Sequence, residues 1–115
     1  MSARTIRVNA LLRREISEVL HRDHRDEAVR ITISEVRVSP DLRNADVFYA
    51  VLGGTDEIRI AEKLFRKIAG DIKYKVGKSV TLKYLPHFKY QYDDSIAKGM
   101  DLVDRIDHIT EESDS

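Results

Sequence analysis

The chain has 115 residues, the size of one domain, and its 42% hydrophobic share suffices for a single core, which argues against long-range disorder. It has no cysteine, so disulfides and thiolate zinc sites are excluded, and no apolar run approaches the roughly 18 residues of a membrane span. Twenty basic and twenty acidic residues cancel to a formal charge of zero, at a charged share of 35%. The N-terminus, Met1 to Arg7, lacks the apolar core of a secretory signal, so the expected location is the cytosol.

Residues 4–21 carry Ile6, Ala10, Ile16, Val19 and Leu20 at helical spacing, with Ser2 as the expected N-cap. A polar connection follows over residues 21–27. Residues 29–39 read as a strand in which Val29, Ile31 and Ile33 alternate on odd numbers, then Val36 and Val38 on even ones. One extra residue near Ser34-Glu35 switches the face, so a β-bulge is expected there. Ser39 to Asn44 is a turn with Pro40 suited to its second position, and residues 45–52 form a second, antiparallel strand.

Gly53 and Gly54 end that strand, and Thr55 or Asp56 is the expected cap of the next helix. Ile58, Ala61, Leu64, Phe65, Ile68, Ile72 and Val76 keep helical period, with an interruption expected at Gly70 and a C-cap at Gly77. Residues 79–85 alternate as a third strand, Pro86 breaks it, and Phe88, Tyr90 and Tyr92 continue as extended chain with most of these rings packed. Asp93-Asp94-Ser95 is the expected cap of a last helix carrying Ile96, Met100, Val103 and Ile106, and residues 110–115 are expected to be a disordered acidic tail. The order α–β–β–α–β–α implies an α+β domain over residues 1–109, a three-stranded sheet with helices on one face.

The zero net charge conceals strong polarity along the chain. Residues 1–58 sum to −1, residues 59–89 to +7 and residues 93–115 to −6. A basic block of that density, interleaved with Tyr74, Tyr84, Phe88, Tyr90 and Tyr92, suits RNA: cations meet phosphates and aromatic rings stack on bases. Other chemistry finds less support. Gly77-Lys78-Ser79 lacks the second glycine and the strand–loop–helix order of a phosphate-binding loop, since position 72 is Ile72. His21 and His24 have a spacing that can hold a metal, but a solvated helix end explains them better, so no metal is expected. Asp93 and Asp94 suit a helix start better than a catalytic or magnesium-binding pair, and no serine has nucleophile context. The chain does not read as an enzyme, and no cofactor is expected.

Three stretches together resemble the bacterial ribosome-binding factor A family. They are Leu11 to Ile16 closing the Arg-rich opening helix; Ile31 to Val47, with its Val-Ser-Pro-Asp-Leu-Arg run; and Tyr84-Leu85-Pro86-His87-Phe88 followed by Tyr92-Asp93-Asp94-Ser95. The similarity spans about residues 4–109. It implies a type II KH-like fold whose second helix is kinked at an Ala-x-Gly interruption; here Gly70 matches, while the Ala position is Ile68. It also implies a non-catalytic assembly factor that binds the 30S small ribosomal subunit and 16S rRNA late in maturation, supports 16S 5′-end processing, and matters most in the cold. A functional link to a ribosome-associated GTPase, a cytoplasmic location and a monomeric state go with it, and no membrane partner. On this reading Arg66, Lys67, Gly70, Lys73, Lys75, Lys78 and Lys83 are the leading RNA-binding candidates, with Arg4, Arg7, Arg13, Arg14 and Arg43 secondary. The competing classes are a KH-type module for another RNA, a protein adaptor using the acidic end, and a magnesium-dependent nuclease built on Asp93 and Asp94.

Overall fold

The computed structural model describes residues 2–94. Its elements are α1 (Ala3–Asp23), β1 (Ile31–Val38), β2 (Asn44–Val51), α2 (Thr55–Ser79) and β3 (His87–Tyr92). The expected last helix and acidic tail lie outside the described residues. The Ser2 hydroxyl caps α1 by accepting from the Thr5 amide at 3.2 Å, as expected. Val8, Leu12, Ile16, Val19 and Leu20 of α1 are buried.

The sheet order is β1-β2-β3, with β1 and β2 antiparallel and β2 and β3 parallel. The bulge is where the change of phase puts it: Ile33 pairs with Tyr49 and Glu35 with Phe48, so Ser34 is the extra residue. It returns Val36 and Val38 to the face that already holds Ile31 and Ile33, and all four are buried. In the turn, the Leu42 amide donates to the Ser39 carbonyl at 2.8 Å with Pro40 at the second position. Leu42 itself sits at φ 61°, a conformation Gly or Asn more often takes. Ala45, Val47 and Tyr49 of β2 and Phe88 of β3 complete one buried sheet face, against which both helices pack. Tyr90 stacks on Phe65 with centroids 4.6 Å apart, and Tyr49 tilts against the same ring at 4.5 Å. Burial pushes the Tyr49 phenol up to about 12.

Four local expectations are corrected. The cap of α2 is Gly54, not Thr55 or Asp56: the Glu57 carboxylate reaches back to accept from the Gly54 amide at 2.9 Å. Gly53, at φ 137°, makes the turn into it; a β-carbon there would meet the Glu57 side chain at 2.6 Å. α2 then runs as helix without interruption through Gly70, so the expected kink is absent as a break. It also passes Gly77 and is capped at Val80. Each glycine lacks the positive φ of a C-cap; buried Ile68 and Ile72 flank Gly70 and hold the helix to the core there, and buried Val76 does so just before Gly77.

The fourth correction concerns β3. Residues 80–86 are not a strand; they are the return connection, and β3 begins after Pro86. A strand parallel to β2 must start beside the start of β2, and His87 pairs with Asn44. α2 and the connection together carry the chain back to that end. Buried Pro86 closes the connection, and the His87 amide donates to the Arg43 carbonyl at 2.8 Å.

Candidate nucleic-acid interface

The apolar period of α2 decides where its cations go. Ala61, Leu64, Phe65, Ile68, Ile72 and Val76 face the sheet. Residues three and four apart on the opposite side therefore form a line in solvent. That line contains Arg59, Lys63, Arg66 and Gly70, continued by Lys73 and Tyr74, all exposed. Lys78 lies beside it, its ammonium 4.4 Å from the Tyr74 ring centroid. Tyr74 is 62% exposed, so an aromatic face accompanies the charge. A β-carbon at Gly70 would meet nothing within 4 Å. The glycine thus leaves a shallow gap between Arg66 and Lys73, where a phosphate backbone can approach the helix closely.

The neighbouring acids only partly offset this charge. Glu62 is 3.8 Å from Arg66 and Glu27 is 3.6 Å from Lys67, both at well-exposed side chains. Exposed pairs of this kind hold little free energy and yield readily to a phosphate. Arg66, Lys67, Gly70, Lys73 and Lys78 are thus brought together on one accessible face.

Lys75 is engaged differently. Its ammonium lies 2.8 Å from Asp23 at the end of α1 and 3.1 Å from Asp71. Asp71 in turn meets His24 Nε2 at 2.8 Å. This cluster ties the end of α1 to α2. His21 Nε2 lies 2.8 Å from the Ile31 carbonyl, so the two histidines serve separate contacts within the fold.

Asp23 and Asp71 are both held below the ordinary carboxylate range, Asp23 chiefly by Arg22 and then Lys75, Asp71 chiefly by His24 and then Lys75. A carboxylate with a depressed folded pKa binds fewer protons folded than unfolded. Its stabilisation is present above the unfolded value and is lost as pH falls toward the folded one. The urea midpoint should therefore fall as pH drops below about 4. Asp71→Asn should lower the midpoint at neutral pH and flatten that acid decline. An acid decline as steep as the parent's would show that Asp71 contributes nothing to it.

The remaining candidates divide by position. Arg13 donates to the Ile33 carbonyl at 3.4 Å, on the β1 side of α1. Arg7 and Arg14 are exposed on the outer face of α1, with Arg14 3.4 Å from Glu15. Arg4, Arg43 and Lys83, from three separate segments, line one groove with exposed Tyr84. Arg59 and Lys63 are not singled out from the basic block as site residues by the sequence, whose interleaved aromatics include Tyr74 and Tyr84. The signal for the first two is their helical spacing from Arg66, opposite the apolar stripe. Among the described residues no group of three or more His, Asp or Glu side chains is placed to hold a metal ion, and no helix is long and apolar enough to cross a membrane.

The family model of ribosome-binding factor A matches residues 4–106. The chain belongs to that family. A ribosome-binding factor A of Opitutus terrae is 44% identical over 109 residues, covering 95% of this chain and 89% of the relative. The crystal structure of ribosome-binding factor A from Thermus thermophilus superposes with a TM-score of 0.67 at 16% identity, covering 76% of this chain and 94% of that one. A Thermus thermophilus factor fitted into the cryo-EM map of a 30S complex gives a TM-score of 0.61 at 18% identity, covering 75% and 91%. The family's KH-like fold accordingly applies here.

Proposed function

We propose that this chain is a non-catalytic assembly factor that binds the 30S ribosomal subunit late in its maturation, gripping 16S rRNA phosphates with the exposed face of α2. The observation that supports this reading best is the line Arg59, Lys63, Arg66, Lys73 beside Tyr74, in a member of a ribosome-binding family. Cations on one helical face can track a phosphate backbone without reading base sequence, which suits an RNA already specified by the particle around it. The Thermus thermophilus relative fitted into a 30S complex supports the choice of particle.

The finer reading follows the family. The factor acts in the cytoplasm as a monomer, supports processing of the 16S rRNA 5′ end, matters most in the cold, and leaves with the help of a ribosome-associated GTPase. Removing the gene from its host should then accumulate 16S precursor with an unprocessed 5′ end, more at low temperature than at the growth optimum. Normal 5′ ends at both temperatures would contradict the role in processing.

A further inference from the structure

A second basic feature lies away from the line on α2. The first turn of α1, the β1–β2 turn and the connection 80–86 enclose a groove of about 610 Å³. Arg4, Arg43 and Lys83 reach it from those three segments. One carboxylate, Asp41, also lines it, with its Oδ1 accepting from the Ser39 hydroxyl at 2.5 Å and the Arg43 amide at 3.1 Å. Those hydrogen bonds, the Ser39 one chiefly, hold the Asp41 carboxyl below its ordinary range, and the lining sets three basic side chains against one acidic one.

Apolar side chains share the lining, among them Leu42 and buried Pro86. At the rim, the Tyr84 ring is 76% exposed, with the Lys83 ammonium 5.6 Å from its centroid. The combination is specific in kind. A volume of this size admits one nucleotide with room to spare. Cations alone would suit any phosphate, and a double helix would offer only its backbone. An exposed ring beside apolar side chains offers a surface that an unstacked base can use and a base stacked within a double helix cannot.

We propose that this groove binds an unpaired ribonucleotide of an RNA strand, its base against Tyr84 and its phosphate among Arg4, Arg43 and Lys83. The proposal rests on the RNA-binding reading above and adds a second, single-strand contact to the phosphate-tracking face of α2. The factor would then touch RNA in two ways: backbone along the helix, and one splayed base at the groove.

The test is amide chemical-shift mapping of the full chain with the tetranucleotide AAAA, with inorganic phosphate, and with a tetra-aspartate peptide. The tetranucleotide should shift the amides of Leu42, Arg43, Lys83 and Tyr84. Tyr84→Ala should weaken it on the order of ten-fold and Tyr84→Phe should retain it, since stacking needs the ring and not the hydroxyl. Both replacements fall at a solvent-exposed side chain, so folding is preserved. Unchanged affinity in Tyr84→Ala, shifts confined to α2, or equal competition by phosphate or the peptide would overturn the proposal. Small-subunit binding by the same unaltered protein separates the two claims. If it binds subunits while the groove stays silent, only the groove fails; if it binds neither, the proposed function fails with it.

Discussion

Replacing Arg66, Lys73 and Lys78 together by Ala lowers affinity for small subunits on the order of 100-fold at physiological salt. The arithmetic is that of counterion release. Each phosphate contact contributes about 0.7 to 0.9 to the slope of log affinity against log salt, so three lost contacts flatten that slope by about 2 to 3. All three side chains are exposed, and surface substitutions of this kind change stability by about 0.5 kcal/mol or less each. The thermal midpoint should therefore stay near the parent's while binding falls. Lys75→Ala makes the contrast. Its ammonium is held between Asp23 and Asp71, so its loss should lower stability and leave the salt slope nearly unchanged. An unchanged slope in the triple variant would remove α2 from the interface.

The second large effect is on the fold. Leu12 is fully buried at the centre of the α1 face that meets the sheet. Leu12→Ala deletes most of that side chain and leaves a cavity beneath a helix that the rest of its stripe still holds in place. Such truncations cost about 2–5 kcal/mol, and the thermal midpoint should drop on the order of 10 °C. Ile6→Ala, on the same helix but at a side chain 55% exposed, should change stability by about 0.5 kcal/mol or less. Comparable losses in the two variants would contradict this division between core and surface. Because α2 packs on the same core, partial unfolding in Leu12→Ala should also weaken subunit binding near its midpoint, and not well below it.

What the residues disclose in advance depends on how local the cause is. The Ser2 cap and the bulge at Ser34 are legible because their causes lie within a few residues: a hydroxyl three positions before the amide it meets, and a change in the phase of alternation. The buried stripe of α2 is legible for the same reason. β3 is harder. Val80, Leu82 and Tyr84 alternate as well as Phe88, Tyr90 and Tyr92 do, and local pattern cannot choose between them. The choice is made by pairing with β2, which begins only at His87. The glycines mislead in a similar way. Gly70 and Gly77 weaken a helix locally, yet buried Ile68 and Ile72 carry it past the first and buried Val76 anchors it beside the second, and it runs to Ser79.

The candidate interface shows the same divide. The basic block over residues 59–89 is visible in composition, and helical period alone separates its outer members from its inner ones. What composition cannot show is that Lys75 faces inward to Asp23, or that His24 reaches Asp71, 47 residues away. Nor can it show that Arg4, Arg43 and Lys83 meet at one groove, since the turn after β1 and the connection before β3 bring them together only in the folded chain. The aromatic residues divide by burial: Phe88, Tyr90 and Tyr92 pack, as their alternation implies, while Tyr74 and Tyr84 are left to solvent.

The central claim is that the factor holds immature small subunits through an electrostatic contact with their rRNA. Its most direct test is sedimentation of the unaltered protein with immature and with mature small subunits at two salt concentrations. The expected result is co-migration with both at low salt, stronger with the immature particle, and a steep loss on raising salt. Folded protein that migrates with neither particle at low salt, or binding that salt leaves unchanged, would contradict it.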